Sequence, residues 1–388
     1  MVTVSLKEQL RRTDERPNGF NYLRIGLSLG IICWHSHGIT TGDDSAFWMS
    51  WWRAPIAIML PMFFALSGFL VTGSLERSKT LFSFLGLRVL RIVPALAGEV
   101  LLSAFILGMI FTAYPLRQYF TDPLFVHYFW NLVGHVQFFL PGVFENNPLR
   151  SYVNGQLWTV PYELVCYISL AILAVVGLVK WRVALLWLAV FYHVGAIISV
   201  FLWPSPAVGH YRGMLLIVAF LIGVLFYRYR DHIPFSRSLF WFSVAVSMAF
   251  LSINSLDRLA VVPITYMTVF LGLTNPRPNK LILSGDYSYG LYLYGWPLQQ
   301  AFSALAPSYR YWYLNILFTV PCASLAAVCS WWVIERPALS LRPYLKELEA
   351  RYILARSSMI TIFSRSLLLF RGSRNYEYLL RIVMKKGS

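Results

Sequence analysis

Charged residues are scarce in this sequence of 388 residues: they make up 13% of it, against about a quarter in ordinary soluble domains. Acidic residues are the scarcer sign, with 17 Asp and Glu against 33 Lys and Arg. No long polar stretch occurs before residue 335, and apolar runs of about twenty residues, the length that crosses a bilayer, recur along the chain. The composition therefore excludes a soluble globular protein and indicates one polytopic membrane domain.

Cysteine is also rare, and the four cysteines have neither metal-ligand nor disulfide spacing. Each lies in an apolar run, so we interpret them as small packing residues. The sequence contains no glycine-rich phosphate loop and no internal repeat, and we expect no bound metal. The first twenty residues are polar and basic and contain no apolar core, so we expect no cleaved signal peptide.

Hydropathy predicts an all-α polytopic membrane protein with ten transmembrane helices. The predicted spans are 21–39, 54–74, 86–113, 157–179, 183–203, 211–228, 238–255, 258–274, 288–306 and 311–334. A further apolar stretch, 124–143, contains two histidines, an asparagine and two glycines. If it does not cross, every strong Lys and Arg cluster lies on the cytoplasmic side, as basic loops do. We therefore expect a re-entrant or interfacial segment at the outer face, and both termini in the cytoplasm.

Composition divides the chain into a cytoplasmic N-terminal segment (1–19), a transmembrane domain (20–340) and a basic cytoplasmic tail (341–388). The net charge of +16 is spread over loops that flank the spans. That distribution is typical of topology signals and of attraction to anionic lipid, and not of nucleic-acid binding. The tail contains the stretch MITIFSRSLLLF, which is too short to span and predicts an amphipathic segment on the inner membrane surface.

Two ionisable residues of the first span lie on one helical stripe. Arg24 and His35 are eleven residues apart, close to three turns, so their directions differ by about 20° and the rise between them is about 16 Å. His37 lies about 160° away from His35 and points elsewhere. An arginine at a span's end can simply reach the interface. A histidine inside a span is costly unless it faces a cavity or a partner, and imidazole suits general base work.

Two further carboxylates are predicted to lie inside the membrane. Glu163 is about two turns into its span, at a depth comparable to that of His35, where a carboxylate could orient the imidazole. The alternative is a buried glutamate paired with another helix for packing. Glu99 lies nearer the cytoplasmic side, and we expect it to line a channel for the donor.

Arg88 and Arg91 project from one helical face because they are spaced i, i+3 at the cytoplasmic end of the third span. They can be plain positive-inside charges. They can also form a clamp for a phosphate-bearing ligand, since paired guanidinium groups bind phosphate well. The spacing alone does not choose between these two interpretations.

Five stretches of the sequence, in a fixed order, resemble the motifs of a known protein family. They are FNYLRIGLSLGIICWHSHG, PMFFALSGFLVTGSLERS with the following FLGLRVLRIVPAL, GQLWTVPYELVCY, GDYSYGLYLYGWPLQQ and WWVIERPA. Together, across residues 20 to 340, they resemble membrane acyltransferase family 3, whose members are integral membrane proteins that acylate carbohydrates and other extracytoplasmic acceptors. Each stretch alone is a weak signal, whereas five in the same order are specific.

The resemblance implies an acyl-CoA-dependent O-acetyltransferase of the bacterial inner membrane, with acetyl-CoA as donor. The acceptor it implies is a glycan such as exopolysaccharide or lipopolysaccharide O-antigen. It makes His35 the catalytic base or the carrier of a covalent acyl group, with Arg24 and Glu163 as its partners. It also makes Arg88 and Arg91 the acyl-CoA contacts. The residues expected to line the pocket are Ser67, Trp158, Tyr292 and Glu99.

The chain departs from the family pattern at several positions. The usual aspartate before Phe-Phe is replaced by Pro61 and Met62, and the usual late-span histidine is Gly295. The second change removes one candidate proton carrier. Because the tail after 340 is short, we expect the chain to act alone or to pass an acyl group to a separate periplasmic protein. A membrane transporter or flippase for a glycan or an acylated intermediate is the alternative function, since ten spans and midplane charges also suit that class.

Overall fold

The described part of the chain is helical throughout. The computed structural model describes residues 4–15, 17–202, 213–253 and 256–354, and within these ranges it contains no strand beyond two isolated bridges. Each of the ten predicted spans contains one helix of 12 residues or more. These helices are α1 (Gly19–Thr41), α2 (Arg53–Arg77), α3 (Leu81–Phe111), α4 (Gly155–Val175), α5 (Arg182–Leu202), α6 (Gly213–Arg228), α7 (Arg237–Leu251), α8 (Val261–Gly272), α9 (Ser288–Leu305) and α10 (Trp312–Leu354).

Five of these helices are long and apolar enough to cross a membrane. They are α2, α3, α4, α10 and the stretch Arg182–Ser199 of α5. Helices α6 and α7 are apolar but shorter. Together they make the chain a membrane protein, because apolar helices of this length fit the hydrocarbon thickness of a bilayer. The count of ten spans and the orientation of the termini stay predictions.

The stretch 124–143 contains no helix of spanning length. It begins with the short helix Pro123–Tyr128 and the 3-10 turn Phe129–Val133, and it is extended after Gly134, whose φ is +81°. The Asn131 side-chain amide causes the break, because it donates to the backbone carbonyls of Tyr128 and Gln137, at 2.8 and 2.9 Å. These hydrogen bonds compete with the helical ones, as asparagine side chains often do.

Helices α2 and α6 pack closely against each other. A Cβ on Gly68 would lie 2.0 Å from the backbone oxygen of Phe220, and a Cβ on Gly223 would lie 2.2 Å from that of Ala65. Glycine is therefore required at both positions, and the two backbones touch without side chains between them. Small residues at helix contacts are the usual way in which membrane helices approach closely.

Short helices and the N-terminal segment complete the described structure. The segment 1–19 contains the helix Leu6–Arg11, whose Leu6 and Leu10 are buried against α6 and α8. The predicted amphipathic stretch of the tail, 359–370, lies outside the described residues. The remaining short elements are Ser45–Trp48, Leu116–Thr121, Leu178–Lys180, Asp257–Ala260, Lys280–Leu283 and Pro307–Tyr309.

Candidate active site

Two cavities lie end to end along the same four helices, α1, α2, α4 and α9. The first, of about 150 Å³, is lined by three arginines and a glutamate, and we call it the arginine cavity. The second, of about 370 Å³, is lined by His35 and four tryptophans, and we call it the histidine cavity. Leu60 of α2 lines both. The cationic and the imidazole-bearing sites are therefore neighbours inside one helical bundle.

The predicted stripe on α1 connects the two cavities. Arg24 lines the arginine cavity, and His35, three turns further along, lines the histidine cavity. His37 lines neither; its ring packs edge-on against Phe47 at a centroid distance of 4.4 Å. The two histidines therefore lie in different surroundings, as the helical geometry of the sequence predicts.

Arg24 and Arg91 share one carboxylate. Asp286, in the loop before α9, accepts from Arg24 Nη1 at 3.0 Å and from Arg91 Nη2 at 2.6 Å, and Ser288 donates to its other oxygen at 2.6 Å. Burial raises the pKa of Asp286, but Arg91 and Arg24 outweigh burial and lower it from 3.8 to about 2. The carboxylate is therefore charged and ties α1 and α3 to the start of α9.

Arg91 has a second carboxylate partner. Its Nη1 lies 3.0 Å from Glu335, which is 1% exposed. Glu335 closes the π-helical turn Trp331–Glu335 in α10, and such an inserted turn rotates the side chains that follow it. Sequence reasoning missed both Asp286 and Glu335. The available signal was their position directly beside an apolar helix, within the stretches GDYSYG and WWVIERPA.

Arg88 differs from its two neighbours because no carboxylate among the described residues lies within ion-pair distance. Its Nη2 donates to Ser74 Oγ at 3.1 Å, and its guanidinium carbon lies 6.0 Å from the centre of the Tyr167 ring. Its Nε is buried and finds no hydrogen-bond partner within the described ranges. Of the three arginines that line the cavity, Arg88 is therefore the one whose charge no described carboxylate neutralises, and it can bind an anion.

Glu163 lies in the arginine cavity and not beside His35. The hydroxyl of Tyr167 donates to Glu163, and Ser67 Oγ lies 3.2 Å from the same hydroxyl. The expected pairing of Glu163 with the imidazole is therefore not what the structure shows. Glu163 lies five residues further along α4 than Trp158, which lines the histidine cavity, a rise of about 7 Å, so it lies at the level of the arginine cavity.

The imidazole of His35 is held by aromatic rings. Its centroid lies 4.7 Å from that of Trp296, edge to face, and 4.8 Å from that of Trp34. Among the described residues it has no hydrogen-bond partner, so both ring nitrogens are available to a ligand. An aromatic cavity with one imidazole suits a ring-shaped ligand that presents a hydroxyl group, since apolar ring faces pack on aromatic side chains.

The other residues expected to line a pocket divide between three places. Ser67 and Tyr292 line the arginine cavity, and Trp158 lines the histidine cavity. Glu99 lines neither, which corrects the expectation of a channel-lining carboxylate. It is fully buried and accepts from Ser103 at 2.7 Å and from Asn154 at 2.6 Å. Ser103 on the same helix and Asn154 on a neighbouring segment thus hold Glu99 in a buried polar cluster.

The position of the missing late-span histidine is tightly packed. A Cβ on Gly295 would lie 2.8 Å from Cγ1 of Ile32, one turn before His35 on α1. A histidine there would require α1 to move away from α9. Within the described residues, moreover, no group of three or more His, Cys, Asp or Glu could hold a metal ion. Among the residues that line the two cavities, His35 is the one histidine.

Comparison with known proteins identifies the family of the chain. The profile of a family described as an acyltransferase domain, family 3, matches residues 18–335. Nodulation protein 10 of Rhizobium leguminosarum bv. viciae is 28% identical over 357 residues, covering 84% of this chain and 94% of that protein. An O-acetyl transferase of Shigella phage Sf6 is 23% identical over 350 residues, covering 84% and 97%. No solved structure gives a significant match. The chain therefore belongs to membrane acyltransferase family 3.

Proposed function

We propose that this protein transfers a short acyl group, acetyl, from acyl-CoA to a hydroxyl group of an extracytoplasmic carbohydrate. The observation that carries the proposal is the placement of a cationic cavity and an imidazole-bearing aromatic cavity end to end, with Leu60 common to both. The O-acetyl transferase of the phage, which resembles this chain over most of its length, favours acetyl as the group transferred.

The arginine cavity is the proposed site of the donor. The phosphates of acyl-CoA would bind Arg88, whose charge no described carboxylate compensates. Arg91 and Arg24, already paired with Asp286, would add positive potential beside it. The rise along α1 from Arg24 to His35 is about 16 Å, and an extended pantetheine arm spans roughly 15–20 Å. The thioester would therefore reach the histidine cavity while the phosphates stay at the arginines.

The histidine cavity is the proposed site of the acceptor. Its tryptophans offer flat apolar surfaces to one face of a sugar ring, and the available nitrogens of His35 meet a hydroxyl at the ring's edge. The tryptophans would then contact the apolar face of the sugar, and His35 would contact its hydroxyl group. A carbohydrate acceptor fits this combination because sugar rings have both apolar faces and hydroxyl edges.

In the proposed reaction the acceptor oxygen attacks the carbonyl carbon of the thioester. The new C–O bond forms and the C–S bond breaks, while His35 takes the hydroxyl proton and returns it to the departing thiolate. The products are an O-acyl sugar and free CoA. An acyl-histidine relay gives the same products in two steps and differs in leaving label on the protein when acceptor is withheld.

We place the protein in the bacterial inner membrane with both termini in the cytoplasm. The support for this orientation is the distribution of basic residues, which follows the positive-inside rule. It opens the arginine cavity toward cytoplasmic acyl-CoA and the histidine cavity toward the exported glycan.

The direct test uses purified protein in detergent, radiolabelled acetyl-CoA and a panel of pyranose oligosaccharides. Loss of thioester together with label in the oligosaccharide, only when both are present, supports the proposal. The absence of thioester loss with every acceptor, combined with movement of a labelled glycan across vesicles that contain the protein, would favour a transporter instead.

Replacing Arg88 with alanine should weaken donor binding more than turnover. A hydrogen-bonded charge is worth about 1.5–3 kcal/mol, so we expect the Kd for acetyl-CoA to rise about tenfold to a hundredfold. The rate at saturating donor should fall far less. Isothermal calorimetry and initial rates measure the two quantities.

The matched control for Arg88 is Arg77→Ala. Arg77 is an arginine at the same end of the bundle, with an exposed side chain that lies outside the cavity. We expect its substitution to leave the Kd unchanged. Equal Kd values for acetyl-CoA in the Arg88 and Arg77 variants would show that Arg88 does not bind the donor and serves only as a positive-inside charge.

A further inference from the structure

The boundary between the two cavities is the feature from which we draw a further inference. Four helices contribute residues to both cavities, and the change from one cavity to the other occurs within a turn on two of them. On α4, Trp158 lines the histidine cavity and Thr159 lines the arginine cavity. On α9, Trp296 lines the histidine cavity and Tyr292 lines the arginine cavity. The two chambers are therefore stacked on a common axis with a thin wall between them.

One side of this wall is held by hydrogen bonds. The Tyr292 hydroxyl donates to the backbone carbonyl of Gln156 at 2.7 Å, and Thr159 Oγ1 lies 2.6 Å from the same hydroxyl. These bonds fix α9 against α4 at the level of the boundary. Movement of Tyr292 or Thr159 would break two polar contacts inside the protein, which is costly in apolar surroundings.

On α2, one aliphatic side chain lies at this boundary. Leu60 of α2 lines both cavities, is 6% exposed and has no polar contact to lose. A leucine changes between staggered rotamers at small cost when space is available on either side. Its neighbours along α2 divide by cavity: Ile56 lines only the histidine cavity, and Leu70 lines only the arginine cavity.

We propose that Leu60 is the residue that sets the size of the acyl group and separates the donor from water in the acceptor cavity. The inference rests on the proposed function. The acyl group must pass Leu60 to meet a hydroxyl beside His35, so the gap left by its side chain limits the length of the acyl group. When no acceptor is present, the same side chain shields the thioester carbonyl from water.

Widening the gap should relax the choice of donor. For Leu60→Ala we expect the ratio of butyryl to acetyl transfer to rise at least about tenfold, since each methylene in an apolar pocket is worth about tenfold or more. Hydrolysis without acceptor should also rise. In that reaction the oxygen of water attacks the carbonyl carbon, and the C–S bond breaks to give free acid and CoA thiol. Thiol release from acetyl-CoA and butyryl-CoA, followed with a thiol reagent, measures it.

Narrowing the gap should have the opposite effect. For Leu60→Phe we expect acetyl transfer to fall at least about tenfold, while the Kd for acetyl-CoA stays within about twofold of the native value, because the arginines are untouched. This second variant replaces a buried apolar side chain with another. It keeps the inference testable if the alanine variant is unstable.

Leu75→Ala is the matched control, since it removes the same atoms from the same helix about 22 Å away and lines neither cavity. We expect its butyryl-to-acetyl ratio and its hydrolysis rate to equal those of the native protein. Native-like ratios and hydrolysis in both Leu60 variants, with active native protein, overturn this inference and leave the proposed function standing. Native protein that transfers no acyl group to any acceptor overturns both.

Discussion

Replacing His35 with alanine should lower acyl transfer by about 10² to 10⁴-fold, the usual contribution of a positioned general base. The reason is that His35 is the imidazole of the aromatic cavity, and its nitrogens have no partner among the described residues to compete with a ligand hydroxyl. Donor binding should be unchanged, because the arginines that would hold the phosphates line the other cavity. Initial rates with labelled acetyl-CoA, together with donor affinity, measure the two effects.

His37→Ala provides the control for this substitution. His37 lies on the same helix only two residues away, but it packs on Phe47 outside both cavities. We expect its rate to stay within about twofold of the native value. Comparable losses in both variants would refute the argument from the helical stripe. Label recovered on the native protein in the absence of acceptor, and missing from the His35 variant, would establish the acyl-histidine relay.

Replacing Asp286 with alanine should destabilise the protein by about 1.5–3 kcal/mol, the typical contribution of a hydrogen bond to a charged group, because the side chains of Asp286 and Arg24 are about one-quarter exposed. Arg24 would lose its counter-ion, and Arg91 would keep only Glu335. The midpoint of thermal unfolding in detergent, followed by size-exclusion fluorescence, should fall markedly. Transfer activity should fall with it, because Asp286 ties the helices of both cavities together.

The control for Asp286 is Asp231→Ala. Asp231 pairs with Arg182 at 2.9 Å, and their side chains are about one-third exposed, but Asp231 has one arginine partner where Asp286 has two. Exposed pairs contribute about 0–1 kcal/mol, so we expect little change in the unfolding midpoint. Equal unfolding midpoints for the two variants would show that the ion pairs of Asp286 stabilise the protein no more than the ion pair of Asp231 does.

The ion pairs of Asp286 with Arg24 and Arg91 also predict how the stability of the protein depends on pH. Because the pKa of Asp286 is lower in the folded protein, about 2, than its ordinary value of 3.8, the folded state favours the charged carboxylate. Its contribution is complete above the ordinary value and is lost as the pH falls toward 2. The native protein should therefore lose more stability on acidification through this range than Asp286→Asn, which has no carboxylate to protonate.

The helices were largely predictable because hydropathy and length are local properties. Each of the ten predicted spans contains a helix of 12 residues or more, and the stretch 124–143 contains no helix of spanning length. The stripe of Arg24 and His35 followed from helical geometry alone. Such features depend only on residues a few turns apart, which a single sequence displays directly.

Pairing between distant segments was not predictable in the same way. Asp286 is 262 residues from Arg24, and Glu335 is 244 residues from Arg91, so no periodicity relates them. The expected contact of Glu163 with His35 assumed equal depth, whereas the packing of α4 against the other helices, which a single sequence does not show, places the two residues at different levels. The π-helical turn that ends at Glu335 also escapes a pattern based on 3.6 residues per turn.

The contact between α2 and α6 has a consequence for access to the arginine cavity. Phe220 lines that cavity, and its backbone touches α2 at Gly68 with no room for even a methyl group. Neither an acyl tail dissolved in the bilayer nor a lipid molecule can slip sideways between these two helices. A water-soluble donor that enters lengthwise from the end of the bundle fits this closed seam, whereas a lipid-linked donor arriving from that flank does not.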